Sequence, residues 1–142
     1  MIKQTEIIYK IYPQRYITAS AINALAQRFN LPTDPYMQDW EYEVADPSRI
    51  DEFMHAYLSN ELNDDEKFAL METLLQSFEE SSKILGSDQQ WMTILQVLQD
   101  NLDIHATTIC YWACGNSAYN LCWRITPYLR KIKLRNHLKI TQ

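Results

Sequence analysis

Only two glycines, Gly86 and Gly115, occur in the 142 residues of this chain. Hairpin turns and phosphate-cradling loops rely on glycine for positive φ and for close backbone approach. A many-stranded β protein and a Gly-rich nucleotide site are therefore not expected. No apolar run approaches the roughly 18 residues of a membrane-spanning helix. No apolar leader follows Met1-Ile2-Lys3-Gln4, where Glu6 and Lys10 soon intervene, so a secretory signal is not expected either. The cysteines are few and odd in number: Cys110, Cys114 and Cys122. Free, reduced thiols packed as small hydrophobes in a soluble cytoplasmic protein are the simplest expectation. Neither a G-x-S-x-G elbow, an H-E-x-x-H helix, a P-loop nor an EF-hand loop is present, and the chain is read as a non-enzyme without a cofactor.

Acid is also missing from one end, since no Asp or Glu follows Asp103. Seventeen acids lie between Asp34 and Asp103 against three bases (Arg49, Lys67, Lys83), a formal −14. The first 33 residues carry +3 and the last 39 carry +6. Grouped charge of this kind bears on partners more than on fold, because its field reaches beyond single contacts. An acidic middle is suited to a basic partner. The basic tail, Arg124, Arg130, Lys131, Lys133, Arg135 and Lys139, could bind phosphates, but the acidic block would repel the same ligand. No nucleic-acid and no membrane partner is expected. The tail is read as a tethered brace against the acidic block of its own chain.

What is present favours helices. The 46% apolar and 22% charged content is that of a globular chain. Its length suits one domain over 1–142 that buries about two thirds of its surface. From residue 18 onward the apolar spacing is helical. Ser20 can cap a helix carrying Ile22, Leu25, Ala26 and Phe29, which stops before Pro32. Asp34-Pro35 and Asp46-Pro47 each offer an N-cap followed by a first-turn proline. Asn63 with Glu66 forms a capping box ahead of a long helix from Asp64 to about Leu85, ended by Gly86. Ser87 and Asp103 open two more, and Thr126-Pro127 opens a basic helix through about Leu138, within the basic segment 124–142. Residues 1–17 fit one short strand or an irregular helix equally. The fold class is all-α: a single-domain bundle, or a short α-solenoid-like stack, of six to seven helices.

The densest unusual segment is Tyr36-Met37-Gln38-Asp39-Trp40-Glu41-Tyr42-Glu43. Aromatic rings beside carboxylates are what a cationic partner needs, rings for contact area and acids for Arg or Lys. For Trp40 itself core is the favoured reading, and a solvated acidic face is the plain alternative for its neighbours. Candidate partner-binding residues are Tyr36, Asp39, Glu41, Tyr42, Glu43 and Asp46, extended by Glu72, Glu79 and Glu80 on the outward side of the long helix. Asp64-Asp65-Glu66 is explained locally, as acids opposing a helix dipole. His55 follows Asp51 and Glu52 by one turn. His105, Cys110 and Cys114 offer a weak match to zinc spacing, and no metal site is expected.

The runs Gln38–Asp46, Asp65–Glu72 and Ile104–Trp112 resemble small helical bacterial proteins, similar in size and acidity to immunity proteins of toxin–immunity systems, contact-dependent growth inhibition included. That resemblance implies a binding protein that covers the active site or substrate surface of a cognate toxin with a basic surface, a nuclease above all. It implies a monomer or weak homo-oligomer. Two alternatives stay open. One is a structural or adaptor protein that self-associates, acidic middle to basic tail. The other is a cryptic thiol or metal enzyme using His105, Cys110 and Cys114.

Overall fold

The structure, a computed structural model, describes residues 6–141. Among them are seven α-helices and one two-stranded parallel sheet, so the helical class expected from the spacing is the class observed. The sheet is an addition. The expectation for residues 1–17 falls partly on 1–5, outside the described residues; the rest contains strand β1, Lys10–Pro13.

Local chemistry sets the helix ends. Helix α1, Ala19–Phe29, is capped by Thr18, whose Oγ1 accepts the Ala21 N–H at 3.1 Å. The cap lies two residues before the expected Ser20. Asn30, in the left-handed region, ends α1, and the Leu31 N–H returns to Ala26 O, ahead of the helix-breaking Pro32. Asp34 does not start a helix. Its Oδ1 takes the Tyr36 N–H at 2.8 Å, and its carbonyl takes the Met37 N–H. That closed turn competes with helix, and α2 is confined to Trp40–Glu43. Asp46 does cap, through the Ser48 N–H, a 3-10 turn over Pro47–Arg49 that leads into α3, Ile50–Leu58.

Helix α4, Asp64–Glu80, opens on the expected capping box: Asn63 Oδ1 accepts the Glu66 N–H and Glu66 Oε1 accepts the Asn63 N–H. It ends earlier than Gly86 suggested. The backbone turns extended at Ser81, and Gly86 lies in a separate 3-10 turn, Leu85–Ser87. Asp88 rather than Ser87 caps α5, Gln89–Asp100. Helix α6, Leu102–Trp112, starts one residue before the expected cap Asp103, after a break at Asn101. Helix α7, Thr126–Asn136, opens with Pro127 and stops at His137, whose φ of 49° ends it. The final residues therefore form β2, Leu138–Thr141, paired parallel to β1 from Lys10↔Leu138 to Pro13↔Thr141.

Two helices organise the rest. Helix α4 packs against α1, α2, α3 and α6, and α6 packs against α5, α7 and both strands. Met71, Leu74, Leu75 and Phe78 of α4 are fully buried, each contributing on the order of 1.5–3 kcal/mol by leaving water. Trp91 and Trp112 are equally enclosed. Among the described residues no helix is long and apolar enough to cross a membrane.

The expectation of three free thiols is corrected. Cys114 and Cys122 form a disulfide with Cα atoms 6.1 Å apart, leaving Cys110 free and half-buried. Cys114 has left helix α6 and holds a positive φ of 64°, followed by Gly115 at 57°. It shares no helical face with Cys110. Arg130 crosses the bridged loop, donating to Ala113 O (3.0 Å) and Ser117 O (3.1 Å) with its guanidinium 4.7 Å from the Tyr119 ring centre. The tail is thus bound by apolar packing of Leu129 and Ile132 and by arginine–carbonyl bonds. Among the described residues none of its six cations forms an ion pair. The expected charge-to-charge brace is not the arrangement found.

Candidate functional site

The acidic segment before and through α2 is held from beneath. Trp40 is buried, and its indole N–H donates to Pro32 O at 2.8 Å, closing the loop that carries Asp34 and Tyr36. Thr73 Oγ1 of α4 donates to Glu41 O (2.8 Å), and one turn further on Ser77 Oγ accepts the Asp46 N–H (3.0 Å). Spacing of four residues puts Thr73 and Ser77 on one face of α4, the face that receives this segment. The backbone from Glu41 to Asp46 is consequently fixed, while side chains on its other side face solvent.

Four of the nine candidate contacts are exposed: Tyr36, at 89%, with Asp39, Glu43 and Glu80. Glu41 and Asp46 are partly covered. Burial is the main influence raising the Glu41 pKa, with the Asp39 and Glu43 carboxylates adding to it. Asp46 has its pKa lowered because its carboxylate accepts from the Ser48 hydroxyl and N–H. Four ion pairs occur among the described residues, and they use Asp65, Glu61, Glu52 and Asp88. None uses an acid between Asp34 and Asp46.

Three candidates turn inward instead. Glu72, expected outward, is only 4% exposed. It is four residues after Phe68 and three before Leu75, which places it on the buried face. One oxygen, Oε1, accepts the Thr108 hydroxyl at 2.6 Å. The other, Oε2, accepts the Trp112 indole N–H at 2.9 Å and the Tyr42 hydroxyl at 3.0 Å. Burial raises the Glu72 pKa against the opposing effect of those three donors. Tyr42, expected as free contact area, is half-buried, stacked near Tyr111 and edge-on to Trp112. Its own pKa is raised, first by burial and then by Glu72. Glu72 therefore ties α2, α4 and α6 together.

Glu79 is also occupied. Its two oxygens accept the Arg124 and Ile125 N–H groups (3.1 and 3.0 Å) at the start of α7. In return the Arg124 guanidinium donates to Glu79 O, Ser81 O and Lys83 O at the end of α4. Each helix end satisfies the other's unpaired backbone groups.

No protein-family model matches this chain, and no curated protein or solved structure matches it either. Function must therefore be argued from the geometry.

Beside Tyr42 an open cleft of about 420 Å³ is bordered by Arg15, Tyr16, Glu41, Phe68, Cys110 and Tyr111, with Glu72 at its wall. The thiol–metal trio suggested by spacing is not assembled. Cys114 is bridged, and His105 Nε2 lies 2.6 Å from the buried Tyr57 hydroxyl. Among the described residues no group of three or more His, Cys, Asp or Glu side chains could hold a metal ion. His55 is exposed, Glu52 pairs with Arg49, and Asp51 accepts from Gln90. Sequence reading missed Thr73, Ser77, Thr108 and Trp112. The available signal was the placing of Glu72, Thr73 and Ser77 among the apolar residues Phe68–Phe78 of α4.

Proposed function

We propose that this protein acts by binding a basic surface of another protein, as the immunity protein of a bacterial toxin, with a nuclease as the favoured target. The observation that carries the reading is the state of the 34–46 segment. Among the described residues its acids form no ion pair, Tyr36 stands free beside them, and the backbone beneath is already ordered by Trp40, Thr73 and Ser77. A preorganised contact loses less entropy on binding. Free carboxylates speed encounter and select against wrong partners, and the exposed ring supplies the anchor.

On this reading Asp39, Glu41 and Glu43 meet Arg or Lys of the toxin and Tyr36 packs between them. Glu80 is one turn along α4 from the Ser77 anchor and widens the acidic face. Tyr42, Glu72 and Glu79 hold the scaffold and make no contact. A cytoplasmic site of action belongs to the same proposal; the Cys114–Cys122 bridge weighs against it, since reducing compartments disfavour such bonds.

The test is co-purification of tagged protein from its native host, wild type beside an Asp39→Asn, Glu41→Gln, Glu43→Gln triple variant. A stoichiometric toxin-like partner that is lost with the triple variant, and lost from wild type as salt rises, supports the proposal. Equal recovery of that partner by both proteins at every salt concentration overturns it.

A further inference from the structure

Among the described residues strand β1 uses only one of its two edges. Lys10 N–H donates to His137 O (2.9 Å) and Gln14 N–H to Thr141 O (3.2 Å). Backbone groups of even-numbered residues thus face β2, and those of Tyr9 and Ile11 alternate to the opposite side. The sheet contains no third strand among the described residues. An open, apolar strand edge is a template for pairing with another chain. Here the apolar side chains are plainly available: Ile11 of β1 is 59% exposed, and Ile8, two residues before the strand, 83%.

Alongside runs a groove of about 560 Å³, formed by Ile7, Tyr9, Lys133, Leu134, His137 and Lys139. Leu134 is 65% exposed on α7. Lys139 Nζ sits 4.1 Å from the Tyr9 ring centre, a cation held at the groove wall. Lys10, Lys133 and Lys139 take part in none of the ion pairs among the described residues. Folding has brought two basic stretches from opposite ends of the chain together.

Three occupants compete for this surface, and charge with hydrogen bonding decides between them. A second copy pairing edge to edge would set Lys10 and the groove lysines near their own counterparts, and like charges across a strand pair are destabilising. An anionic lipid surface would suit the lysines and isoleucines, but the unpaired N–H and C=O groups of Ile11 would enter hydrocarbon without partners, which membranes do not tolerate. An extended acidic peptide satisfies both requirements. Its backbone completes the ladder and its carboxylates reach the lysines.

We propose that the outer edge of β1 and its adjoining groove receive, by strand addition, an extended segment of a partner protein in which apolar residues alternate with Asp or Glu. Pro13 has no N–H, so pairing ends there, and the added strand lies opposite about five residues, 7–11, of which Lys10 and Ile11 are already in β1 and 7–9 would extend it. This surface shares no residue with the acidic segment, and the proposal is independent of the immunity reading.

The test uses isotope-labelled full-length protein and two synthetic peptides, one of alternating valine and glutamate and one of alternating valine and lysine. Expected are amide shift changes at residues 7–12 and 133–139 with the glutamate peptide, at least tenfold slower hydrogen exchange at Ile11 N–H, and no response to the lysine peptide. Ile11→Pro removes the edge N–H without removing a bond to β2 and weakens binding at least tenfold. Lys133→Gln with Lys139→Gln, which leaves the backbone untouched, does the same by a separate route. The proposal is overturned if the glutamate peptide leaves these amides unmoved or if both peptides act equally. It is also overturned if vesicles of phosphatidylglycerol and phosphatidylcholine bind this face in the peptide's place. A wild-type dimer that Ile11→Pro dissociates would replace it with self-association.

Discussion

Replacing Glu72 by Gln tests the internal network most directly. The carboxylate accepts from Thr108, Trp112 and Tyr42. A glutamine can keep all three contacts, its oxygen accepting from Trp112 and Tyr42 and its amide donating to the Thr108 hydroxyl. Shape and bonding are retained while ionisation is removed. Glu72→Leu instead strands the buried Trp112 N–H, a loss of about 1–3 kcal/mol; Thr108 can turn to a backbone carbonyl and Tyr42 faces the cleft.

The distinguishing readout is pH. A carboxyl whose folded pKa is raised binds more protons folded than unfolded, so its contribution is complete at low pH. That contribution is lost as pH climbs from the ordinary glutamate range through the raised value, by up to about 1.4 kcal/mol per unit. His105 acts in the opposite sense. Burial, with minor help from Arg15 and Lys67, pushes its pKa from 6.5 down to about 3. Its contribution is complete above the usual histidine range and is lost as pH falls. In wild type the two slopes oppose each other between the glutamate and histidine ranges. Urea unfolding followed by tryptophan fluorescence, from pH 4 to pH 8, should show Glu72→Gln matching wild type in acid. It should then gain on wild type as pH rises towards neutrality, with a steeper upward slope left by His105. Parallel profiles, or a wild type that gains on the variant with rising pH, would refute the reasoning.

Three further outcomes follow from named contacts. In denaturant without reductant, one thiol per chain (Cys110) should react; three would exclude the bridge. Reducing the nine-residue loop closed by Cys114 and Cys122 should cost about 2–3 kcal/mol in thermal or urea unfolding. Glu79→Ala should destabilise by about 1–3 kcal/mol, since two backbone N–H groups at the head of α7 lose a charged acceptor. It should leave partner affinity unchanged once folded protein is compared with folded protein.

Much of the scaffold was legible from short-range chemistry. The Asn63–Glu66 capping box, the Asp46-Pro47 device and the break at Pro32 act within four residues of themselves, so they work in any fold that leaves them exposed. Core was the favoured reading for Trp40 over contact, and it is buried. The Asp34-Pro35 device failed because the same carboxylate that caps a helix also closes an Asx turn. Gly86 failed as a helix stop because Arg124, more than 40 residues away, captures the carbonyls where α4 ends. No local rule contains that contact.

The candidate site divides along the same line. Tyr36, Asp39 and Glu43 are exposed as expected because each lies on a segment whose opposite side is anchored by Trp40. Glu72 and Glu79 were misjudged because α4 is covered on several faces and only a narrow side, where Glu80 lies, reaches solvent. Whether a carboxylate on it is solvated depends on donors supplied by α6 and α7.

Residue order alone determined the helical class, the helix openings at Asp46, Asn63 and Thr126 and the division of charge along the chain, since these depend on spacing, capping and composition. Tertiary structure decided which acids remain free, that Cys114 meets Cys122, and that residues 10–13 find 138–141. Those outcomes depend on groups far apart in sequence, and only the packing of α4 and α6 brings them within bonding distance.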